Sequence, residues 1–313
     1  MVRVALVGCG RWGERYLRIL PSVPHLQLVA VCDSDPEVLA RVKFGYPRLD
    51  GYSNVAECFE HLAVDAVILA TPANTHHALA YNVLEAKKHV LVEKPVCDNL
   101  MEARELVALA QRQERVLMAG HLLEYHPATA WVRSYVQKRS LPSYVRGIRC
   151  ANPLPAAGSV ILDLLVHDLA RLRYMLDLEP RELLATGNSH QTVSVIIRCL
   201  DGIQVYLTAS WMEVEVRRQM ELFWPGTMVR MDDLSQDGVC VVTQEADRLV
   251  KSYQTKPGDA LYEQCRHFVQ CIRTQFPPRT GPEDILWVTT ALTLAQASLE
   301  RRGQWVLWSG GCY

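Results

Sequence analysis

The chain has 313 residues, of which 49% are hydrophobic and 21% are charged, and its formal net charge is -1. This length predicts two domains, each large enough to bury its own core. The charges form no long blocks of one sign, which argues against nucleic acid or an anionic membrane as a partner. Because no apolar run approaches the thickness of a bilayer and no export signal is evident, we expect a soluble cytoplasmic protein.

The ten cysteines are scattered among apolar positions and form no Cys-x-x-Cys pair. This pattern indicates reduced, mostly buried thiols rather than a disulfide framework. The histidine pair His76-His77 and the spacing of Cys265 and Cys271 lack the further ligands that a tetrahedral zinc site needs. We therefore predict that the protein binds no metal.

The N-terminal part of the chain alternates short apolar runs with helical patterns. Strands are predicted at Val2–Val7, Leu26–Cys32, Val64–Ala70, His89–Val92 and Val116–Ala119. Helices are predicted at Trp12–Leu20, Pro36–Lys43, Thr75–Ala86 and Asn99–Gln113. Repeated βα units of this kind predict an α/β fold with a doubly wound parallel sheet of the Rossmann type.

The pattern changes after Gly120, where a second domain is expected to begin. Its predicted helices are Pro127–Arg139, Ser159–Met175, Ala260–Thr274 and Glu283–Arg301. Its predicted strands include Tyr144–Cys150, Val193–Cys199, Gln204–Trp211, Gln219–Trp224 and Met228–Met231. We therefore predict a Rossmann domain over residues 1–121 and, over residues 122–313, an α+β domain with a mainly antiparallel open sheet that binds substrate and mediates oligomerisation.

The glycine turn Gly8-Cys9-Gly10-Arg11-Trp12-Gly13 follows the first strand directly and opens the first helix. In a dinucleotide-binding turn, the first glycine permits the tight bend and the second lets the backbone approach the pyrophosphate. The third glycine lets helix and strand pack closely. The alternative is a turn that only joins strand and helix. The predicted strand before the turn and the predicted helix after it favour dinucleotide binding.

An acidic residue, Asp33, ends the second predicted strand, where a carboxylate can accept hydrogen bonds from the adenosine ribose hydroxyls. Such an acid repels a 2′-phosphate, and the next residue, Ser34, offers no positive charge to bind one. The pattern therefore favours NAD over NADP. The alternative for Asp33 is a carboxylate that only caps a turn or a helix.

Four further stretches carry a family resemblance. They are Ala70-Thr71-Pro72-Ala73-Asn74-Thr75-His76, Lys88 to Pro95 with its Glu93-Lys94-Pro95 ending, Gly120 to Pro127, and Asp163-Leu164-Leu165-Val166-His167-Asp168. In this order they resemble the Gfo/Idh/MocA (glucose-fructose oxidoreductase / inositol dehydrogenase) family. Within it, Gly120 to Ala128 and Ser210-Trp211-Met212 look most like the branch that contains UDP-N-acetylglucosamine 3-dehydrogenases.

The resemblance implies a Rossmann domain followed by a domain whose open sheet mediates dimers or tetramers. It implies catalytic roles for Lys94, Asp163 and His167 beside the substrate, and a Lys94-Pro95 peptide bond that can be cis. The predicted cofactor-binding residues are Gly8, Gly10, Arg11, Trp12, Gly13, Asp33, Ser34, Thr71, Pro72, Asn74, His76, Glu93, Lys94 and Pro95.

The residue types fit hydride transfer from an alcohol, because a base must take the hydroxyl proton as the hydride leaves. His167 can do so near neutral pH. Lys94 can stabilise the developing alkoxide, or act as the base if burial lowers its pKa. Asp163, four residues before His167, would orient the imidazole or bind a substrate hydroxyl. The alternatives are a solvated strand-end lysine, a packed histidine and a capping acid.

Three positions depart from the family pattern. Lys87 stands where a glycine is usual, so it must adopt a less favourable backbone conformation if the preceding helix ends in a left-handed residue. Val166 stands where the nucleotide-sugar branch tends to have proline, and Ala170 where an acid is common. Two of these departures, Val166 and Ala170, lie beside the histidine motif that the resemblance places near the substrate.

Together these features predict an NAD-dependent oxidoreductase that interconverts a secondary alcohol and a ketone on a sugar or nucleotide sugar. One alternative is reduction of an imine or a conjugated double bond, as in biliverdin-reductase-like relatives, which needs a proton donor but no alcohol base. Another is a non-catalytic NAD-sensing regulator, which would be expected to lose the catalytic residues. The expected partners are a small-molecule substrate and further copies of the chain, in a homodimer or homotetramer.

Overall fold

The computed structural model describes residues 1–61, 64–152, 158–235, 239–243, 249–253 and 259–308. The helices are α1 (Gly13–Ile19), α2 (Pro36–Gly45), α3 (Val55–His61), α4 (His76–Glu85), α5 (Leu100–Arg112), α6 (Pro127–Gln137), α7 (Val166–Leu176), α8 (Ala260–Thr274) and α9 (Pro282–Glu300). The strands are β1 (Val2–Val7), β2 (Leu26–Cys32), β3 (Asp50–Tyr52), β4 (Ala66–Leu69), β5 (His89–Val92), β6 (Leu117–Ala119), β7 (Tyr144–Cys150), β8 (Pro180–Asn188), β9 (Thr192–Cys199), β10 (Gln204–Ser210), β11 (Arg218–Trp224), β12 (Thr227–Asp232), β13 (Val239–Thr243), β14 (Leu249–Tyr253) and β15 (Val306–Leu307). Short 3₁₀ segments span Leu20–Ser22, Ala73–Thr75 and Leu122–Tyr125, and a π-helical segment spans Ile161–Leu165.

The chain divides into two compact units, each made of two stretches of sequence. The first unit comprises Met1–Leu122 and Asp259–Leu286, and the second comprises Leu123–Gly258 and Trp287–Tyr313. None of the helices within the described ranges is long and apolar enough to cross a membrane. Eight of the described cysteines are free and buried, as their scattered apolar positions predict.

The first unit contains a six-stranded parallel sheet in the order β3-β2-β1-β4-β5-β6. Its central strands are buried because helices cover both faces, which explains their continuous apolar sequence. Leu6 of β1, for example, pairs with Val31 of β2 on one side and Ile68 of β4 on the other. The strand order reverses between β1 and β4, and ligands of such sheets bind beyond the carboxyl ends of the strands at this point. The predicted doubly wound Rossmann architecture is confirmed.

The first unit also includes residues 259–286, which the predicted boundaries 1–121 and 122–313 assign to the second domain. In α8, Gln264 is fully buried and its Nε2 donates to the hydroxyl of Tyr16 in α1, at 3.1 Å. Further along, the Ala119 N–H donates to the Thr280 carbonyl at 2.7 Å, and the Thr280 hydroxyl donates to the Ala119 carbonyl at 2.7 Å. These bonds attach a segment from far along the sequence to the edge strand β6, which chain order could not reveal.

The second unit contains a nine-stranded sheet in the order β14-β13-β12-β11-β7-β10-β9-β8-β15. The predicted antiparallel character is confirmed, except that β7 and β10 pair in parallel. Side chains alternate between its faces: in β10, Val205 and Leu207 are buried while Gln204 and Tyr206 are exposed. The buried face packs against α6, α7 and the later part of α9 in one apolar core. The opposite face carries polar and aromatic side chains.

The segment predicted as one helix, Ser159–Met175, consists of a π-helical stretch followed by α7. The main-chain N–H of Val166 bonds to the carbonyl of Ile161, five residues earlier, which widens the turn. Apolar periodicity cannot distinguish this turn from a regular one. Because π-helical turns are frequent at functional sites, the stretch draws attention to Asp163 within it and to His167 just after it.

Candidate cofactor and catalytic site

The glycine turn lies at the carboxyl end of β1, beside the chain that leaves β4. Gly8 has φ +88°, and a Cβ there would lie 2.6 Å from the carbonyl carbon of Ala70. A Cβ on Gly13 would lie 2.1 Å from the carbonyl oxygen of Gly8, so α1 starts in direct contact with the turn. A Cβ on Gly10 would meet nothing within 4 Å. The first and third glycines are therefore required by packing, whereas Gly10 faces open space where a pyrophosphate can approach.

Asp33 follows β2 and is held by the backbone of the same turn. Its Oδ2 accepts the Cys9 N–H at 2.7 Å, and its Oδ1 accepts the Asp35 N–H at 3.0 Å. A carboxylate has about four acceptor positions, so each oxygen retains capacity for a ribose hydroxyl. The next side chain, Ser34, is exposed and uncharged. The geometry fits an adenosine ribose with free hydroxyls, the form found in NAD.

Two side chains of the turn point outward from the sheet. Arg11 is exposed, and Trp12 is half-buried at the start of α1. The guanidinium carbon of Arg15 lies 4.4 Å from the centre of the Trp12 ring, a cation–π contact that fixes the indole against α1. Trp12 is thus ordered by the protein itself.

The loop after β4 contributes the next group of predicted cofactor residues. Thr71 is half-buried, and Pro72 and Asn74 are exposed. The hydroxyl of Thr75 lies 2.7 Å from both the Thr71 hydroxyl and the Pro72 carbonyl, which closes the loop into a tight 3₁₀ turn before α4. The turn presents Pro72 and Asn74 at the carboxyl edge of the sheet, and the main chain just before it, at Ala70 and Thr71, lies against Gly8.

His76, at the first position of α4, has a different environment. It is 1% exposed, with Nδ1 2.7 Å from the Pro95 carbonyl oxygen and Nε2 2.9 Å from the Thr71 carbonyl oxygen. Both ring nitrogens are therefore engaged by main chain. His76 connects the loop after β4 to the loop after β5 instead of presenting a nitrogen to a ligand.

The Glu93-Lys94-Pro95 motif follows β5, and its peptide bond between Lys94 and Pro95 is cis. Glu93 is buried and accepts the Tyr16 hydroxyl at 2.8 Å on Oε1 and the Lys94 N–H at 3.2 Å on Oε2. Burial raises the pKa of the Glu93 carboxyl, while the Tyr16 hydrogen bond and the charges of Lys94 and His76 oppose that rise. The Lys94 side chain is half-buried, and the hydrogen bond to Glu93 holds the main-chain N–H of Lys94 in place.

Residues outside the predicted set support this motif. Burial raises the pKa of the Tyr16 phenol well above its usual value, so Tyr16 stays a hydrogen-bond donor to Glu93. Gly120 leaves room for the same carboxyl, because a Cβ there would lie 3.0 Å from Glu93 Cα. The sequence shows Tyr16 only as a residue of a predicted helix and Gly120 only as a glycine after a predicted strand. Neither position indicates a contact with Glu93.

In the second unit, Asp163 lies within the π-helical stretch and His167 in the first turn of α7. Asp163 is exposed and His167 is half-buried. The residue after the histidine, Asp168, is buried and accepts two hydrogen bonds from the Arg149 guanidinium, from Nε at 3.0 Å and Nη2 at 2.7 Å. This ion pair ties the start of α7 to β7. It fixes the main chain on which His167 stands.

The structure thus gathers the glycine turn, Asp33, the Thr71 loop and the Glu93-Lys94-Pro95 motif at one edge of the first unit's sheet. Asp163 and His167 share one helical segment of the second unit. Hydrogen-bond acceptors for ribose, a backbone opening for phosphate and a lysine at a strand end are suited to binding a dinucleotide and polarising an alcohol beside it.

Comparisons with known proteins match the fold and an NAD-binding domain. Residues 2–121 match the model of an oxidoreductase family with an NAD-binding Rossmann fold. The chain is 28% identical over 300 residues to the UDP-N-acetylglucosamine 3-dehydrogenase of Acidithiobacillus ferrooxidans, covering 88% of this chain and 90% of the relative. A solved structure of UDP-N-acetylglucosamine 3-dehydrogenase from that organism superimposes with a TM-score of 0.86 at 26% identity, covering 96% of this chain and 99% of that one. The myo-inositol 2-dehydrogenase of Thermotoga maritima is 22% identical over 324 residues, covering 96% of this chain and 97% of the relative.

The sheet, its glycine turn and the matched model define the class of protein: an NAD-binding oxidoreductase with a Rossmann domain. More narrowly, the matched model is that of the Gfo/Idh/MocA family, which the motifs predict, and it covers residues 2–121.

Proposed function

We propose that the protein interconverts a secondary alcohol and a ketone on a sugar, with a nucleotide sugar as the preferred class. The similarity to UDP-N-acetylglucosamine 3-dehydrogenase extends over 88% of the chain at 28% identity. The similarity to myo-inositol 2-dehydrogenase covers 96% of the chain but at 22% identity. The observation that carries the proposal is Lys94, fixed by Glu93 at the carboxyl edge of the Rossmann sheet.

The binding residues have distinct roles in this proposal. The backbone of the turn at Gly8, Gly10 and Gly13 holds the pyrophosphate, and Asp33 accepts hydrogen bonds from the adenosine ribose. Thr71, Pro72 and Asn74 line the cofactor at the neighbouring loop. The negative charge of Asp33 disfavours a 2′-phosphate, so we expect NAD to bind better than NADP.

The chemistry requires that a hydride leaves the alcohol carbon while a proton leaves the oxygen bonded to that carbon, so that the C–O single bond becomes a ketone. NAD+ supplies the hydride acceptor. The Lys94 ammonium stabilises the negative charge that develops on the substrate oxygen. His167 takes the proton as general base, and Asp163 orients the imidazole or binds a neighbouring hydroxyl. The retention of a lysine, an acid and a histidine favours alcohol oxidation over reduction of an imine or a conjugated double bond.

The proposal is tested by replacing Lys94 with Met and following NADH formation with UDP-N-acetylglucosamine and with myo-inositol. General acid–base and electrostatic groups contribute about 100-fold or more, so kcat should fall by at least that factor. The matched control is Lys138→Met, because Lys138 is an exposed lysine at the end of α6. Turnover by Lys94→Met near the parent rate refutes the catalytic role. Tight NADH binding without oxidation of any sugar tested favours the regulator alternative.

We also propose that the exposed face of the nine-stranded sheet joins copies of the chain. On this face the Tyr144 ring stacks on Phe223, with centroids 4.3 Å apart, and Tyr206 meets Tyr144 edge-on at 6.3 Å. Tyr144 and Tyr206 are 38% and 39% exposed, and such aromatic clusters are typical of interfaces. Tyr206→Glu should convert the oligomer to monomer in light scattering, whereas Phe44→Glu, an exposed aromatic of α2, should not. A wild-type monomer at micromolar concentration contradicts this proposal.

A further inference from the structure

His76 places both of its ring nitrogens against carbonyl oxygens. The distances are 2.7 Å from Nδ1 to the Pro95 oxygen and 2.9 Å from Nε2 to the Thr71 oxygen. The ring is 1% exposed, so water does not compete for either nitrogen. Carbonyl oxygens can only accept hydrogen bonds, and each contact therefore needs an N–H on the histidine.

A neutral imidazole has one N–H and one nitrogen lone pair. In that state one of the two contacts would set a lone pair against a carbonyl oxygen at hydrogen-bonding distance, in a site sealed from solvent. Only the imidazolium carries two N–H groups and satisfies both carbonyls. The two contacts together therefore favour a ring that carries an N–H on both nitrogens.

A buried positive charge is tolerated when an opposite charge is close by. Glu93 meets this need, since it is buried and near enough for the charge of His76 to act on its carboxyl. The oxygens of Glu93 accept hydrogen bonds from the Tyr16 hydroxyl and the Lys94 N–H, both of which favour its ionised form. An ionised Glu93 therefore offsets part of the positive charge on His76.

We propose that His76 is a positioning residue that, as an imidazolium, holds the loops after β4 and β5 at a fixed separation. By binding the Pro95 carbonyl it fixes the main chain that carries Lys94, and by binding the Thr71 carbonyl it fixes the adjoining loop. The effect on cofactor binding rests on the proposed function, because only then do both loops line NAD. The protonation of His76 does not depend on that assignment.

The first test measures the protonation directly, in the full chain without cofactor. Nitrogen-15 NMR of selectively labelled histidine at about pH 7.5, where an exposed imidazole is mostly neutral, should show protons on both nitrogens of His76. The His76 signals are assigned by their loss in a His76→Gln variant, or by backbone-linked experiments if that variant does not fold. One bare ring nitrogen on His76 overturns the proposal, whether or not the protein turns out to oxidise a sugar.

The second test uses the adjacent histidine as the matched control. His77 pairs with Glu105, with Nε2 2.8 Å from the carboxylate, and contacts neither carbonyl. Loss of one hydrogen bond from a charged donor should raise the Kd for NADH by about tenfold in His76→Gln. His77→Gln should leave that Kd unchanged. An unchanged Kd in folded His76→Gln removes the positioning role, while failure of the wild-type protein to bind NADH refutes the proposed function instead.

Discussion

Asp233 joins two buried guanidinium groups in the second unit, and its replacement by Asn should lower the free energy of unfolding substantially. Its Oδ1 accepts Arg171 Nη2 at 2.7 Å, and its Oδ2 accepts Arg149 Nη2 at 3.1 Å. Arg149 also pairs with Asp168, whereas Nε and Nη1 of the fully buried Arg171 have no hydrogen-bond partner within the described part of the chain. The variant leaves two buried positive charges facing one carboxylate.

The size of the effect follows from charge compensation. Burial opposes ionisation of Asp233, but Arg171 and Arg149 outweigh it and hold its pKa to about 2, against an ordinary value of 3.8. At about 1.4 kcal/mol per pKa unit, the ionised carboxylate stabilises the fold by about 2–3 kcal/mol. Removing one member of a buried ion pair costs about 3–5 kcal/mol, because the partner charges remain. We therefore expect Asp233→Asn to lose about 2–5 kcal/mol near neutral pH.

The pH dependence provides a second check of the same reasoning. Because folding lowers the pKa of Asp233, its stabilisation is fully present above pH about 4 and is lost as the pH falls towards 2. The difference in the free energy of unfolding between wild type and Asp233→Asn should therefore decrease as the pH falls from about 4 to 2.

Urea unfolding followed by tryptophan fluorescence is a suitable assay. Trp12 is the single tryptophan of the first unit and six others lie in the second, so the signal reports mainly on the unit that contains Asp233. Asp232→Asn is the matched control, since Asp232 binds the Gln219 amide and the Leu234 N–H and contacts no arginine among the residues that the structure describes. A difference between wild type and Asp233→Asn below about 1 kcal/mol at neutral pH, or one that stays constant as the pH falls, would refute the reasoning.

Three further predictions concern the first unit. Gly10→Ala should keep the parent Tm but raise the Kd for NADH at least tenfold. Gly13→Ala should raise the Kd and also lower the Tm, because its Cβ would lie 2.1 Å from the Gly8 carbonyl oxygen. Calorimetry measures the Tm and titration with NADH measures the Kd. Asp33→Asn should weaken NADH binding and reduce the ratio of the affinity for NADH to the affinity for NADPH, which competitive titration measures. Burial, aided by Arg115, lowers the pKa of His89 to about 4, so stability should fall as the pH drops from about 6.5 towards 4. His89→Asn keeps an acceptor for the Val116 N–H and should flatten that decline in a Tm series; an unchanged slope contradicts the assignment to His89.

The strands of the Rossmann sheet were predictable because burial on both faces demands continuous apolar, β-branched runs. The exception is β3, whose three residues Asp50–Tyr52 form an edge strand without a buried side chain. The departure at Lys87 was also correctly interpreted. Its φ is 55°, so the chain beyond α4 adopts the left-handed conformation despite the missing glycine.

The supports of the site were not predictable, because their partners are distant in sequence or are main-chain groups. Gln264 contacts Tyr16 from 248 residues away, and no local pattern links them. The partners of His76 are main-chain carbonyls, which every residue possesses. The burial of His76 between two loops therefore leaves no recognisable pattern in the amino-acid sequence. The same holds for Arg149 and Asp168, whose pairing requires β7 to lie against the start of α7. Motifs identify groups that face a ligand; the groups behind them are set by tertiary packing.

The division of the chain into interleaved stretches has a consequence for how the protein is made. The first unit needs residues 259–286 to bind its edge strand β6 and to supply Gln264, yet the ribosome synthesises almost all of the second unit's sheet before them. The cofactor-binding half therefore cannot mature during translation ahead of its neighbour. A single cut near residue 122 would also separate it from part of itself, so exchanging halves between relatives requires three junctions rather than one.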